Sequence, residues 1–456
     1  MRFRSTSILG GSILLALVGR APASGQLAEP SLRSKIDSIV APYLAAADFM
    51  GVVAVKRDGE APLILPYGLA SVELDVPHQA ESVFMIGSVS KQFTAAAILL
   101  LEQEGKLSTQ DLVSVHLPTF RHGQVITIDQ LLTHTSGIAD VFSLERLGQS
   151  AGQGGTFEEV ISDLSDADLT HAPGSAYAYS NGGYAVLAAI VESASGMRFG
   201  AFLRERVFLP LNMASTWHDG PGPVRSGRVP GYDPWGRDQL TRGMPIAASF
   251  STGSGSLWAS AVDLLAWTAA LHNGGILSDS AYRKMTHDYG NGYGYGVSVF
   301  RRFGRNVVGH DGRIGGFASD VARYVNDRLT VVILSNVQSV AKDEIRRLVA
   351  AAALGEPYAV PPPRQYAMRP SASLSEFTGR YSFGPGFIVT VTASDGRLLA
   401  RANEGGNSEL VPLNDRDWFS RTLYATVRFA RNEDGSVDRL IWGQGSGAPV
   451  GQRVRE

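Results

Sequence analysis

The chain has 456 residues, a formal net charge of −2 and no cysteine. The near-neutral balance carries no electrostatic footprint for nucleic acid or an anionic membrane, and the missing thiols exclude disulfides, cysteine nucleophiles and cysteine-ligated metal centres. With 44% hydrophobic and 18% charged residues, the chain can build a sizeable core and is not of disordered composition.

The first 25 residues read as a secretory signal peptide. Arg2 and Arg4 precede a short apolar run from Ile8 to Val18, and Ala21-Pro22-Ala23 offers small residues for cleavage. That run is short for a bilayer span, which takes about 20 residues, so export to the periplasm or the exterior is expected, without stable membrane insertion.

A helix is predicted from Leu32 to Ala47. Two strands follow, Gly51–Val55 and Leu63–Tyr67, joined at Asp58-Gly59. A long helix runs from Ser88 to Gln103, with Phe93, Ala97, Leu100 and Leu101 at helical spacing and Gly105 as its stop. Ser108–Asp111 and Thr127–Gln130 have the form of capping boxes that start two more helices. Asn181–Ala194 and Val262–His272 are predicted helices, and Asp219–Gly253 between them reads as loop. Strands are expected at Tyr293–Val297, Asn306–Gly309, Phe317–Tyr324 and Leu329–Leu334, then a helix at Lys342–Ala353. Strands at both ends of this region and helices in its middle predict an α+β fold, with one sheet assembled from both chain ends.

Residues 26–360 are therefore assigned to one domain and the proline-rich stretch 361–373 to a linker. Residues 374–456 are assigned to a small all-β domain, with strands at Phe387–Thr392, Arg397–Arg401, Ser408–Pro412, Ala425–Phe429 and Val437–Trp442.

Three short motifs carry reactive groups. In Ser88-Val89-Ser90-Lys91, the serine and lysine are three apart and share a helix face. The lysine can then lower the barrier to ionising a hydroxyl that is a poor nucleophile alone. Tyr179-Ser180-Asn181 sits at a loop-to-helix junction after Pro173-Gly174. His310-Asp311-Gly312 ends a strand, with Gly315 and Gly316 close behind. Each motif alone has a plain structural explanation: a capped helix with a solvated lysine, a buried tyrosine, a glycine-rich connection. In this order they parallel the Ser-x-x-Lys, Ser-Asp-Asn and Lys-Thr-Gly trio of penicillin-recognising enzymes.

The segment Gly87-Ser88-Val89-Ser90-Lys91-Gln92-Phe93-Thr94-Ala95 resembles the nucleophile region of the class C β-lactamase-related serine hydrolases. That family includes β-lactamases, penicillin-binding peptidases, D-aminopeptidases and esterases. Leu131-Leu132-Thr133-His134-Thr135-Ser136-Gly137, Pro210-Leu211-Asn212-Met213 and Gly255-Ser256-Leu257-Trp258 match as well, so the resemblance runs from about Leu32 to Leu354. The C-terminal domain resembles the lipocalin-like domains carried by some members. The resemblance implies a β-lactamase/DD-peptidase-like fold: an antiparallel sheet flanked by helices, a helical subdomain, and a barrel-like C-terminal domain. It implies Ser88 as the acylated nucleophile, Lys91 as the residue that orients it and shifts its pKa, and Tyr179 as general base. Asn181 would bind a substrate amide, and His310 would stand where β-lactamases have lysine. Gly312 belongs to the same strand end, and the amides of Ser88 and Arg313 would form the oxyanion hole.

A histidine is mostly neutral at pH 7, which weakens recognition of a drug carboxylate and favours an amide or ester substrate over a β-lactam. A β-lactamase, or a penicillin-binding-like sensor with little turnover, are the alternatives. The expected partner is a small molecule or peptide, with no cofactor and no metal. His134 reads as a structural loop residue, and the histidines lack a His-Glu-x-x-His spacing. Gly148-Gln149-Ser150-Ala151-Gly152 imitates a nucleophile elbow without its strand and helix. Tyr293 and Tyr295 are candidates for either the cleft or packing.

Overall fold

The computed structural model describes residues 31–144, 155–220, 224–368, 374–403, 407–443 and 447–454. The signal-like segment, the Gly148–Gly152 match and part of the linker lie outside the described residues.

Helix α1 (Leu32–Ala45) leads into strands β1 (Gly51–Arg57) and β2 (Leu63–Tyr67). Helix α2 (Ser90–Gln103), helix α3 (Asn181–Ser195) and helix α4 (Ala261–His272) belong to the middle of the chain. Four strands follow, β3 (Ser298–Arg302), β4 (Arg305–Ile314), β5 (Phe317–Tyr324) and β6 (Leu329–Ser335), and then helix α5 (Ala341–Leu354). The main sheet is six-stranded in the order β3-β4-β5-β6-β1-β2. The N-terminal hairpin therefore docks on the last strand, with Val53 opposite Ile333. This is the two-ended sheet expected from sequence.

Alternation along β1 divides the core. Val53 and Val55 face a cluster with Ile36, Ile39, Ile345 and Leu348 of α1 and α5. Val52 and Ala54 face the larger cluster, which holds α2, α3 and α4. Helix α2 lies inside that second layer, and every residue from Ser90 to Leu101 is buried.

Several predicted elements differ. Ser108–Asp111 closes a turn in which the Asp111 carboxylate accepts from the Ser108 N–H at 2.8 Å, and the short helix beyond it is Val113–His116. Thr127 and Gln130 do form a capping box. Tyr293–Val297 is irregular apart from a single bridge between Tyr293 and Ser298, because Gly294 and Gly296 pack their backbones against Met285, His287 and Lys91 with no room for a side chain. The loop-like stretch after Asp219 contains a hairpin, Tyr232–Trp235 with Gln239–Arg242.

The C-terminal residues form a closed barrel of consecutive antiparallel strands. They are β7 (Gly379–Ser382), β8 (Ile388–Ser394), β9 (Arg397–Ala402), β10 (Ser408–Pro412), β11 (Asp417–Ser420), β12 (Ala425–Arg431), β13 (Val437–Trp442) and β14 (Val450–Arg453). Closure comes from β7 on β14, with Tyr381 opposite Arg453, which leaves no free sheet edge. Strands β7, β11 and β14 are absent from the sequence expectation.

One buried cation fastens the barrel to the rest. Arg421 follows β11 and pairs with Asp48 at 2.7 Å, with both side chains almost fully buried. Its other guanidinium hydrogens go to the carbonyls of Ala46, Ala47, Trp235, Gly236 and Gln239. Arg364, from the proline-rich stretch, lies 3.7 Å from the Phe419 ring centroid. Removing one member of a buried pair leaves the other charge without compensation, at a cost of about 3–5 kcal/mol. Asp48→Ala is expected to lower stability by that amount in urea unfolding; a change below about 1 kcal/mol would mean that Arg421 does not hold the barrel in place.

Candidate active site

Ser88 sits on a single 3₁₀ turn, Gly87–Val89, immediately before α2. Its neighbours from Ser82 to Gly87 and from Val89 onward are buried, and Ser88 alone is partly open. The turn needs Gly87 at φ 51°, a left-handed conformation costly for residues with a Cβ. The turn packs across Gly312 of β4 and its cross-strand partner Ser319, whose hydroxyl donates to the Ile86 carbonyl at 2.7 Å. A Cβ on Gly312 would lie 2.2 Å from the Ile86 oxygen and 2.9 Å from the Ser88 nitrogen; one on Gly87 would lie 2.9 Å from the Arg313 nitrogen. Two glycines thus bring the amides of Ser88 and Arg313 to the same place. Strand β3 pairs with β4 only as far as Ser298 opposite Gly309, so the stretch from His310 onward lacks that neighbour.

Lys91 is one helical turn past Ser88 and fully buried. Its Nζ donates to Asn181 Oδ1 at 2.7 Å and to the Ser254 carbonyl at 2.9 Å, and lies 3.1 Å from Ser88 Oγ. Burial pushes its pKa down to about 7, against the raising influence of Asp140 and Asp311. The segment that supplies Ser254 is tied to α2 at both ends. Thr94 donates to the Gly253 carbonyl at 2.6 Å, and the Leu257 N–H donates to Ser90 Oγ at 3.2 Å.

Asn181 opens α3. Its side-chain Nδ2 and its backbone N–H both donate to Asp140 Oδ2, at 2.8 and 2.9 Å. With Oδ1 turned to Lys91, Asn181 keeps one amide hydrogen for a substrate, and its principal contacts position the lysine. Sequence reasoning missed Asp140 and Ser254; the first lies in a loop with no motif, and the second acts through a backbone oxygen.

Tyr179 presents an aromatic face to Lys91, whose Nζ is 4.9 Å from the ring centroid. Desolvation holds the phenol above the ordinary tyrosine value, opposed by a hydrogen bond with Ser88 and reinforced by Asp311 and Asp140. The residue as a whole is 38% exposed, and its hydroxyl meets Ser88. His134 lies 4.3 Å from the Tyr179 ring centroid, and its Nδ1 accepts from the Ser180 N–H at 3.1 Å. The histidine read as a loop residue is thus part of the support beneath the tyrosine.

His310 Nδ1 is 2.6 Å from the Asp311 carbonyl, and its Nε2 is 2.8 Å from the Tyr293 hydroxyl. A carbonyl only accepts, so Nδ1 carries the proton and Tyr293 donates to Nε2. Burial lowers the imidazole to about 4, with Lys91 assisting and Asp311 opposing. His310 is a neutral group already saturated by protein partners. Tyr293 reaches the site, whereas Tyr295 is packed: it stacks on Tyr289 and donates to Asp129. Ser88, Tyr179, His310, Asp311, Gly312 and Arg313 all line one cavity of about 1200 Å³. Among the described residues, Arg313 makes no ion pair, and no group of acidic and histidine side chains is arranged to hold a metal.

Gly312→Ala tests the packing directly, because its methyl group would meet backbone on two sides. A displaced nucleophile costs about 10²-fold in rate. That loss is expected in hydrolysis assays of a protein with unchanged circular dichroism, and full activity would show that the strand does not press on the Ser88 turn.

Comparison with known proteins agrees with this geometry. A Beta-lactamase family model matches residues 36–356, and a domain of unknown function (DUF3471) matches residues 363–449. Penicillin-binding protein 4* of Bacillus subtilis is 29% identical over 428 residues, covering 87% of this chain and 94% of that protein. A D-aminopeptidase of Gluconobacter oxydans is 27% identical over 338 residues, covering 72% and 63% respectively. The octameric penicillin-binding protein homologue from Pyrococcus abyssi superimposes with a TM-score of 0.65 at 23% identity, over 92% of this chain and 100% of that one. With the family model spanning most of the chain and the same fold across both of its parts, the protein is a serine hydrolase of the β-lactamase family.

Proposed function

We propose that the protein is an exported acyl hydrolase that cleaves an amide or ester bond through an acyl-enzyme on Ser88. The observation that carries this is the surroundings of Lys91. Asn181 Oδ1 and the Ser254 carbonyl can only accept, so they take two N–H bonds of the amine. The remaining direction is toward Ser88. As a neutral amine, Lys91 has its lone pair there and can take the Ser88 proton.

The reaction then runs as follows. The Ser88 proton moves to Lys91 as Ser88 Oγ bonds to the substrate carbonyl carbon. The negative charge that develops on the carbonyl oxygen faces the Ser88 and Arg313 amides. Tyr179, protonated because its pKa is raised, gives its proton to the departing nitrogen or oxygen as the C–N or C–O bond breaks. Water then attacks the acyl carbon and gives a proton to the Tyr179 phenolate, and as the Ser88–acyl bond breaks Ser88 Oγ takes back the proton held by Lys91, which regenerates all three groups. Sequence reading made Tyr179 the base; its desolvation supports the role of proton donor and leaves the first proton transfer to Lys91.

The neutral, saturated His310 argues against a site built on a permanent cation for a drug carboxylate. Likeness to a D-aminopeptidase supports an amide substrate. The N-terminal pattern of Arg2, Arg4 and the apolar run supports export; the first residue of the secreted protein, found near position 25 by mass spectrometry, would locate cleavage, and an intact N-terminus would rule it out.

Ser88→Ala is expected to abolish turnover of p-nitrophenyl butyrate, and Lys91→Ala to lower it by about 10² or more. Turnover that survives in Ser88→Ala would overturn the reading. A stable acyl group without turnover would make the protein a sensor. Because Lys91 acts as the neutral amine, kcat/KM should fall about tenfold per pH unit below the lysine pKa of about 7 and level off above it. A profile flat between about pH 5.5 and 8.5 would remove Lys91 as the base.

A further inference from the structure

The cavity that contains Ser88 does not end in the catalytic domain. Its far wall is the open end of the barrel, including Phe383, Phe387, Val389, Ala402 and Trp442. Strand alternation shows how this arises. Val389 and Val391 of β8 share the inward face, as do Leu398, Ala400 and Ala402 of β9, and Leu440 and Trp442 of β13. The deeper residues of each series fill the barrel. Phe377 lies 5.3 Å from Trp418 and 4.7 Å from Phe429 between ring centroids, which closes the interior. The shallower residues pack on that core and line the mouth, where Phe383 meets Phe387 edge-on with ring centroids 5.9 Å apart. Phe383, Ala402 and Trp442 are only partly buried, and Phe387 is 47% exposed.

The mouth is therefore a shallow, mainly apolar cup, and Ser408 and Glu409 at its edge are already engaged. Ser408 and Ser420 hydrogen-bond each other at 2.5 Å, and Glu409 accepts from the Gly236 N–H at 2.7 Å. The Asp48–Arg421 pair holds the cup opposite the nucleophile. Apolar surface held open to water at the end of a reactive cleft gains free energy when a ligand covers it.

We infer that the barrel mouth is a substrate subsite that takes an apolar aromatic or aliphatic group carried several bonds from the scissile carbonyl. Its closed floor suits one ring or a short chain and excludes a long lipid tail. The inference rests on the acyl-hydrolase reading for its substrate class, and it makes the C-terminal barrel a specificity element of the reaction.

Two measurements separate this inference from that reading. In the first, octanamide and acetamide bind to Ser88→Ala, followed by tryptophan fluorescence, so no turnover is needed. Octanamide should bind at least about tenfold more tightly, and the difference should vanish when Ala402→Phe is added to fill the mouth. Trp442→Ala, which opens the cup, should weaken octanamide severalfold and decides the matter if Ala402→Phe fails to fold. In the second, the wild-type ratio of kcat/KM for p-nitrophenyl octanoate to acetate should exceed about ten and approach one in Ala402→Phe. Equal binding of the two amides, or a preference that survives in both folded barrel variants, would overturn the subsite. Wild-type protein that binds octanamide selectively but hydrolyses neither it nor the esters, and gains no acyl group on Ser88, would keep the subsite and discard the acyl-hydrolase reading.

Discussion

A lysine buried without a carboxylate among its hydrogen-bond partners is the constraint around which this molecule is arranged. Burial opposes its charge, so the protein surrounds Lys91 with two oxygens that only accept and one hydroxyl that can donate as well. Each partner comes from a different element. Ser88 comes from the turn before α2, Asn181 from the first turn of α3, and Ser254 from a loop pinned to α2 by Thr94 and Ser90. Asp140 fixes the Asn181 amide so that its oxygen, and not its nitrogen, faces the amine. Burial pushes the pKa of this amine down to about 7.

The same economy of space shapes the backbone around Ser88. Gly87 and Gly312 let a strand lie directly against the nucleophile turn, which brings two backbone amides together without any charged side chain. The far wall of the cavity comes from the C-terminal barrel. Arg421 fills the seam between barrel and catalytic domain with five carbonyl contacts and one carboxylate, so the barrel mouth is held at the cleft by a rigid joint. One cavity then has a polar, reactive end and an apolar end, built by two parts of the chain that fold on separate principles.

Much of this was legible in the sequence because it follows local periodicity. The Ser88 and Lys91 spacing, the helix that carries them, the N-terminal hairpin and the long strands β5 and β6 all rest on short-range rules. The rest depends on contacts between distant segments. Asp140 and Ser254 belong to no motif, and the Ser254 contribution is a carbonyl that any residue would supply. His134 reads as a loop residue until Tyr179 folds onto it. Tyr293–Val297 has strand-like composition, but the glycines within it serve close packing against Lys91 and not a ladder. Strands β7, β11 and β14 are only four residues each, too short for alternation to register, and their pairing is imposed by closure of the barrel. The upward shift of the Tyr179 phenol also comes from burial, which sequence does not give.

The most direct test of the central claim is to acylate the protein and find the acyl group. Wild-type protein mixed with p-nitrophenyl acetate, quenched in acid within the first turnover and digested, should carry one acetyl group on the peptide that contains Ser88, and the Lys91→Ala protein should acquire it far more slowly. An acetyl group on another residue, or equal acylation rates in the two proteins, would contradict a Ser88 nucleophile activated by a buried lysine.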